Sequence, residues 1–269
     1  MVRENMSESD YEINMHEASD EFRRCWATAG NHLLSQVEKN QLNIYRTDLT
    51  PPIREHHVFR LGNQLFTVYL EDIDEQLITP ASLEGVIFGS TSMNATPCIM
   101  KMQRDISGHW QVMGPRWGLI HAQTRKEIFP PEMVTEEKIE ISDWELKDFA
   151  IQRITEQLRA KGCQLVSHCS DPDINPSIWF VDKNNKFSYA IIKVVRYPEL
   201  EASPPNNIAS IAESLSHESM NGFFYSVGVA NHLDAFAPDE IEPMKLWRGD
   251  GYLANVSEPI HLSSILNRH

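Results

Sequence analysis

Residues 142–162 read SDWELKDFAIQRITEQLRAKG, and residues 188–197 read SYAIIKVVRY; these two segments decide the fold. In the first segment, apolar residues recur at four-residue steps, which predicts an amphipathic helix with Ser142 as N-cap and Gly162 just after its end. The second segment is almost continuously apolar, which predicts a strand in the middle of a sheet that helices cover on both faces. The apolar stripe of the predicted helix consists of Leu146, Ala150, Ile154 and Leu158.

The remaining segments of the C-terminal half complete an α/β arrangement. CQLVSHC (163–169) and SIWFVD (177–182) are rich in β-formers and are separated by turn residues. Residues 208–220 have an amphipathic helical pattern, while FFYSVGVA (223–230) and GYLANVS (251–257) are typical of strands. We therefore predict the order helix, three strands, helix, two strands, with GYLANVS as the last strand.

The N-terminal half is predicted to combine one long helix with two hairpins. Apolar residues at three- and four-residue steps indicate a helix over residues 17–39, for which Ser19 and Asp20 are suitable N-caps. HHVFRLGNQLFTVYLEDID (56–74) and CIMKMQRDISGHWQVM (98–113) each read as a β-hairpin with a glycine near its turn. A short helix is expected over residues 80–88. The N-terminal half is therefore expected to be a small α+β unit.

Two consecutive prolines, Pro130 and Pro131, indicate a boundary between the halves. We predict an N-terminal α+β unit over residues 1–131, which begins with an acidic tail, and an α/β domain over residues 132–269. The fold class of the second domain is α/β, and that of the whole chain is α+β.

The composition is that of an acidic globular protein. The formal net charge is −14, from 38 acidic and 24 basic residues. This field repels a phosphate backbone and no run of Lys and Arg offsets it, so the composition disfavours nucleic-acid binding and favours a protein partner. No apolar stretch has the length of a signal-peptide core or a membrane span, and the four cysteines are scattered. We therefore expect a cytoplasmic protein with reduced thiols and no membrane contact.

The element order of residues 140–257, with acidic residues at the start of the first helix, resembles that of the PD-(D/E)XK nuclease superfamily. In that superfamily a Glu of the first helix, an Asp after a Pro and a D/E-x-K sequence on the next strand converge. The carboxylates hold Mg²⁺, and the Lys helps to position and activate the attacking water. The resemblance implies a restriction-endonuclease-like α/β sandwich in the C-terminal half.

Carried onto this sequence, the resemblance assigns Glu145 to the helix acid and Lys193 to the strand lysine. Pro176-Ser177 stands where Pro-Asp is expected, and Ile191 stands at the first position of D/E-x-K. A hydroxyl and an alkyl side chain therefore replace two of the three metal-binding carboxylates, and they cannot take over the role of carboxylates on Mg²⁺. The resemblance implies the fold and argues against the chemistry.

Glu145 and Lys193 also have structural interpretations. Glu145 matches the N3 partner of Ser142 in a capping box, and we favour this interpretation over metal binding. Lys193 lies in an apolar strand, so it either reaches water or pairs with an acid, for which Glu145 and Asp173 are the candidates.

Residues 163–176 contain two weaker metal-binding patterns. Asp171-x-Asp173-x-Asn175 imitates the start of a Ca²⁺ loop, but Pro176 stands where the loop needs Gly, so a capped turn is favoured. Three soft ligands lack CxxC spacing and a fourth member, so they are interpreted as packing residues. These are Cys163, His168 and Cys169.

Three functions stay open at this point. The leading hypothesis is a non-catalytic nuclease-like protein that binds or assembles with another protein and needs no cofactor. The alternative is a Mg²⁺-dependent nuclease with migrated carboxylates, in which Glu145, Asp173 (or Asp171) and Lys193 are catalytic and Glu145 and Asp173 hold the metal. A third is a peptide- or small-molecule-binding module that uses the hairpins and tryptophans of the first unit.

The sequence also resembles an uncharacterised group of bacterial proteins, and this second resemblance supplies no activity. The similar phrases are DWELKDFAIQ, PSIWFVD, VVRYP and LWRGDGY.

Overall fold

A computed structural model describes residues 18–37, 42–43, 56–80, 82–234, 236 and 242–266. The predicted acidic tail lies outside the described residues. Two compact units are present, which we call the N-terminal unit (the described residues from Ala18 to Ser142, together with Trp247–Gly249) and the C-terminal unit (Asp143–Leu246 and the described residues from Asp250 onward).

The division between the units lies after Ser142, beyond the proline pair from which the boundary was predicted. Pro130 begins a short helix, for which its fixed φ and missing N–H are well suited. The residues after this helix are tied to the first hairpin, because the Asn63 amide donates to Thr135 Oγ1 (2.9 Å) and to the Glu137 carbonyl (2.7 Å). Hydrogen bonds thus hold the segment after the prolines in the N-terminal unit.

The N-terminal unit contains three helices and seven strands among the described residues. The helices are α1 (Asp20–Ser35), α2 (Leu83–Ser92) and α3 (Pro130–Met133). The strands are β1 (Leu42–Asn43), β2 (His57–Leu61), β3 (Gln64–Asp72), β4 (Thr96–Arg104), β5 (Trp110–Val112), β6 (Leu119–His121) and β7 (Glu127–Ile128).

Both predicted hairpins of this unit are confirmed. Strands β2 and β3 pair around Gly62, whose positive φ of 57° closes the turn. Strands β4 and β5 pair across a turn in which the Asp105 carboxylate accepts the Ser107 and His109 N–H groups. The sheet order is β1-β2-β3-β4-β6-β7, and β3 runs parallel to β4. That parallel pair requires a crossover, which contains α2.

One face of the N-terminal sheet carries an aromatic core under α1. Phe59 stacks on Phe66 at 4.8 Å and on Trp117 at 5.6 Å between ring centroids. Trp26 of α1 belongs to the same cluster, and its ring stacks on that of His57. Trp26, Trp110 and Trp117 are thus core residues of this unit.

The C-terminal unit contains three helices and six strands in the described part of the chain. The helices are α4 (Asp143–Ala160), α5 (Ile208–Ser214) and α6 (Leu262–Leu266). The strands are β8 (Gln164–His168), β9 (Ile178–Val181), β10 (Phe187–Arg196), β11 (Gly222–Asn231), β12 (Tyr252–Val256) and β13 (Ile260–His261).

The predicted order of helix, three strands, helix and two strands is confirmed for α4 to β12. The sheet order is β12-β11-β10-β9-β8, with β10 and β11 parallel. The prediction that GYLANVS is the last strand is wrong, because β13 pairs with the start of β11 and α6 follows it. This addition involves a two-residue strand, which is too short to show period-two alternation. The mixed α+β fold class is confirmed.

Alternate residues of β10 face opposite sides of its sheet. Tyr189 and Ile191 belong to a buried cluster with residues of α5 and α6. Toward the other face, Arg196 forms an ion pair with Asp143 in the first turn of α4, at 2.6 Å between Nη1 and Oδ1. The central strand is therefore covered by helices on both faces, which explains its continuous apolar sequence.

No helix in the described part of the chain is both long and apolar enough to span a bilayer.

The cysteines form no disulfide: Cys25 and Cys98 are buried, and Cys163 and Cys169 are half-buried. Burial raises the pKa of the Cys25 thiol to about 12, so this thiol stays protonated and packs as an apolar group.

Candidate functional site

The candidate site, as we define it, comprises the C-terminal half of β10, the loop 169–177 and the first two turns of α4. Strand β9 pairs with β10 only as far as Ile178 opposite Ala190. Beyond this point the loop runs beside β10, where Ser177 N donates to the Ala190 carbonyl (2.8 Å) and Ile192 N donates to Ser177 Oγ (3.2 Å). The sequence thus brings the loop to the end of the strand that carries Lys193.

Ser177 and Ile191 are both sealed in the interior, with no exposed surface. The Ser177 hydroxyl replaces a β9 partner by accepting the Ile192 N–H, which would otherwise be a buried unsatisfied donor. Ile191 packs in the cluster under α5 and α6. Both side chains therefore have structural roles.

Lys193 is half-buried and follows Ile191 by two positions, so it projects from the α5 and α6 face of β10. Within the described residues it forms no hydrogen bond or ion pair, and the expected pairing with Glu145 or Asp173 is not seen. Opposite Lys193 on β11 is Ser226, whose hydroxyl accepts the Ala202 N–H at 2.6 Å.

Glu145 and Asp173 differ in their surroundings. Glu145 lies in the first turn of α4 and is buried, with 5% of its surface exposed. Asp173 is exposed in the loop, where its N–H donates to Asp171 Oδ1 at 2.9 Å. The capped turn predicted at Asp171 is confirmed by this bond. The proposed capping role of Glu145 stays a prediction.

Lys147 is the residue of this site that the sequence reasoning missed. Its side chain is buried, and Nζ donates to the Asp171 carbonyl at 2.6 Å and to the Ile174 carbonyl at 3.0 Å. The ammonium group therefore fastens the loop 169–177 to α4. Carbonyl oxygens at this distance are good partners for a buried cation, since they supply the interactions that water would otherwise make.

Burial lowers the pKa of the Lys147 amine from 10.5 to about 8. The charges of Cys169, Asp171 and Asp173 oppose this shift, and the positive charge of Lys193 adds to it. The two lysines are thus close enough to interact electrostatically at the end of β10. At neutral pH, below this pKa, Lys147 remains protonated and keeps its carbonyl bonds.

Asp148, the next residue of α4, is also buried, with 1% of its surface exposed. Its Oδ1 accepts the Ser170 hydroxyl at 2.5 Å, and its Oδ2 accepts the Gln152 amide at 2.8 Å. Like Lys147, it links the helix to the loop 169–177. No pattern in the sequence marks either residue, because both lie outside the stripe that begins at Leu146.

The structure does not assemble the predicted metal ligands into a recognisable centre. Among the residues that it describes, no group of three or more His, Cys, Asp and Glu side chains is arranged to hold a metal ion. The Mg²⁺-dependent alternative stays a prediction.

Comparison with known proteins adds a limited finding. A protein-family model described as a domain of unknown function (DUF8840) matches residues 144–261, which covers most of the C-terminal unit and less than half of the chain. No curated protein and no solved structure matches. Residues 144–261 are therefore similar to a domain whose function is unknown.

Proposed function

We propose that this protein is a non-catalytic, nuclease-like binding or assembly protein that engages a protein partner. The observation that carries the proposal is the use of Ser177 and Ile191 for structure at the two positions where the resemblance expects metal-binding carboxylates. Both are fully buried, and Ser177 satisfies the Ile192 N–H. Neither side chain supplies an anionic oxygen for a divalent cation.

Lys147 supports this proposal. It brings a positive charge to the loop beside β10, where a nuclease needs carboxylates for its cation. The Lys147 ammonium is itself bonded to the Asp171 and Ile174 carbonyls, and like charges repel an incoming Mg²⁺.

The alternative nuclease is favoured by one observation, the unpaired state of Lys193 among the described residues. A half-buried lysine without an acidic partner is a candidate for a functional group, because desolvation without pairing is unfavourable. In that reading Glu145 and Asp173 hold Mg²⁺ and Lys193 positions the attacking water.

A nuclease assay distinguishes the two functions. We expect the purified full chain to cleave neither single- nor double-stranded DNA in Mg²⁺ or Mn²⁺ above the level of a Lys193→Met variant prepared in the same way. The physical reason is the lack of two of the three carboxylates. The measurement is the rate of release of a fluorophore from labelled oligonucleotides, together with circular dichroism of both proteins.

Cleavage that Lys193→Met abolishes in a folded protein contradicts the non-catalytic proposal. Glu145→Gln and Asp173→Asn then locate the metal, since both must reduce the rate if they are its ligands. A rate that is the same in all variants belongs to a contaminant and supports the proposal.

A protein partner is supported by an exposed apolar patch at the end of the C-terminal sheet where β10 and β11 begin. Phe187, Met220 and Ile260 expose 36%, 78% and 43% of their surfaces. Their segments are tied together by Asn221, which donates to Ser188 Oγ at 2.5 Å and bonds His261 at 3.2 Å. Exposed apolar groups on neighbouring segments are typical of interaction surfaces, and the net charge of −14 favours a partner with a basic rim.

Site-specific photo-crosslinking tests this surface. With a benzophenone amino acid at position 220 in cells that make the protein, we expect a discrete adduct with one partner, because the apolar patch buries that side chain in the complex. Position 199, exposed at the other end of β10, is the matched control and should give no such adduct. The adducts are measured by denaturing electrophoresis and identified by mass spectrometry.

The partner identified in the adduct, when it is purified separately, must bind the full chain. The Ile260→Lys variant of the full chain must bind that partner more weakly. Absence of an adduct at position 220, or equal adducts at positions 220 and 199, contradicts the assignment of the patch.

A further inference from the structure

Strand β12 forms one end of the C-terminal sheet, whose order is β12-β11-β10-β9-β8. One edge of β12 pairs with β11, and within the described residues no strand lies along the other edge. Two backbone bonds flank the paired segment: Ser257 N donates to the Ser226 carbonyl at 3.0 Å, and His232 N donates to the Gly251 carbonyl at 2.9 Å. These two bonds identify which backbone groups of β12 face β11.

The backbone groups of β12 alternate between the two edges of the strand, because hydrogen-bonded and non-hydrogen-bonded pairs alternate in an antiparallel ladder. The residues just before and just after the strand bond to β11, so Leu253 and Asn255 belong to the same inward-facing series. The N–H and C=O groups of Tyr252, Ala254 and Val256 point outward. A further strand along this edge would bond to that second series.

The outer edge of β12 lacks the features that normally protect an exposed strand. Such edges carry a charged residue, a proline or a bulge, since their backbone groups otherwise bind another strand. Strand β12 reads YLANV, without charge or proline, and its register with β11 is uninterrupted. The opposite edge of the sheet differs, because β8 has a bulge between Leu165 and Ser167. Strand β12 is therefore the edge of this sheet that is suited to accept another strand.

One face of β12 is covered by α4 and the other is exposed. The Tyr252 ring packs edge-on against Phe149 of α4, at 5.7 Å between ring centroids. Leu253 and Asn255 point to the opposite face, where both are exposed and Leu253 has 41% of its surface accessible. An added strand with an apolar residue opposite Leu253 would bury part of that surface. The open edge thus offers backbone bonds together with one apolar side chain that favours a particular register.

A second copy of this chain fits the edge poorly. The antiparallel pairing in which all three outward-pointing residues of both copies take part is centred on Ala254. It places Asp250 of one copy opposite Glu258 of the other, and like charges directly opposite each other are destabilising. The Asn231 amide holds Asp250 at this end of β12 by donating to its Oδ2 at 2.8 Å. The two acidic ends instead favour a strand with a basic residue at each end.

We propose that the outer edge of β12 binds an extended segment of another protein, which adds a strand to the C-terminal sheet. The bound segment alternates apolar and polar residues and carries Lys or Arg opposite Asp250 and Glu258. Its apolar side chains lie on the face of Leu253. Main-chain bonds supply the affinity in this mode of recognition, and side chains supply the specificity. The inference rests on the proposed function for the class of partner, and it adds the edge and the mode by which that partner binds.

Fluorescence anisotropy with a model peptide and the full chain tests the edge. The probe is the fluorescein-labelled peptide KVTVTVTVK, whose sequence reads the same in both strand orientations. We expect it to bind at least about 10-fold more tightly than labelled EVTVTVTVE, because the acidic ends of β12 attract one peptide and repel the other. Hydrogen exchange followed by mass spectrometry should show slower exchange of residues 252–257 when KVTVTVTVK is bound.

Two variants at Ala254 separate edge pairing from a general effect on the fold. Ala254→Pro removes an outward N–H and breaks no bond to β11, a change that edge strands tolerate. We expect it to weaken the binding of KVTVTVTVK at least about 10-fold, since one bond is lost and the ring obstructs the incoming strand. Ala254→Ser keeps the N–H, so this matched control should bind as the unaltered chain does. Circular dichroism compares the folding of both variants.

A charge reversal at the end of β12 provides a test that does not depend on proline. Glu258→Lys, at an exposed position, should reduce the preference for KVTVTVTVK over EVTVTVTVE. If Ala254→Pro does not fold, this variant decides the matter, and an unchanged preference overturns the proposal.

Three further outcomes overturn the proposal. The first is that KVTVTVTVK does not bind the unaltered chain. The second is binding that Ala254→Pro leaves unchanged in a folded protein. The third is a dimer of the unaltered chain in analytical ultracentrifugation that Ala254→Pro dissociates, since the edge then binds a second copy.

The crosslink at position 220 reports separately on the proposed function. If that adduct forms and the peptide does not bind at β12, the proposed function stands and the assignment of the edge fails. If the peptide binds at β12 and no adduct forms, the assignment of the apolar patch fails and the edge stands.

Discussion

Acidification from pH 6.5 towards pH 3 is expected to lower the free energy of unfolding of the N-terminal unit by about 1.4 kcal/mol per pH unit through His57 alone. His57 is fully buried, its Nε2 bonds the Trp26 carbonyl at 3.0 Å, and its ring stacks on that of Trp26 at 4.0 Å. Burial lowers the pKa of its imidazole from 6.5 to about 3, the Trp26 carbonyl opposes that shift, and His56 adds to it.

The sign of this effect follows from the protons bound by each state. Between the two pKa values the unfolded chain binds a proton at His57 and the folded chain does not. Acid therefore pulls the equilibrium towards the unfolded chain, and the stability is fully present only above the unfolded pKa of 6.5. Urea unfolding at pH 7, 6, 5 and 4, followed by Trp fluorescence, measures the slope.

Comparison with a variant isolates this contribution from the other titrating groups. His57→Gln is expected to reduce the slope by one proton, although it also lowers the stability at pH 7 by removing the stacked ring. His217→Gln, at an exposed histidine, is the control and should leave the slope unchanged. Equal slopes for His57→Gln and the unaltered chain would contradict the prediction.

Gly228→Ala is expected to destabilise the C-terminal unit by about 3 kcal/mol, the upper part of the range for overpacking. Gly228 lies in the middle of β11, and an added Cβ would approach the Leu200 carbonyl oxygen to 2.6 Å. The obstacle is backbone, so no rotation of a side chain relieves it. The loop that contains Leu200 is held there by the bond from Ala202 N to Ser226 Oγ.

Thermal and urea unfolding measure this effect, with Gly89→Ala as the matched control. Gly89 lies inside α2, and an added Cβ would meet only the Met93 methyl group at 3.8 Å. That variant should be neutral or more stable by up to about 1 kcal/mol, because Ala favours a helix over Gly. If Gly228→Ala is as stable as the unaltered chain, the loop does not lie against β11 as described.

The sequence predicted the local elements well where a periodic pattern and a turn signal coincided. Helix α1 begins at the predicted cap, with Ser19 Oγ accepting the Phe22 N–H at 3.1 Å. Helix α4 ends as Gly162 predicted, since that residue adopts a φ of 82° and the Cys163 N–H reaches back to the Leu158 carbonyl at 3.0 Å. Both signals involve residues close together along the chain, so they can be recognised without the fold.

The candidate site could be predicted only in outline. Lys193 was recognised because a charged residue interrupts an apolar strand. Lys147 and Asp148 were not, because the helical stripe assigns them to the side of α4 turned away from the sheet. In the folded chain the loop 169–177 covers that side, and its carbonyls and Ser170 supply the partners that make burial of two charged groups tolerable.

The sequence by itself determined the α+β class and the order of elements from α4 to β12. Those features depend on residue type and on spacing along the chain. Only the tertiary structure decided that β3 runs parallel to β4, that Lys147 is buried, and that β12 lies at the end of its sheet. These features depend on which distant segments come together and on which polar atoms lose their water as a result. No local pattern in the sequence encodes them.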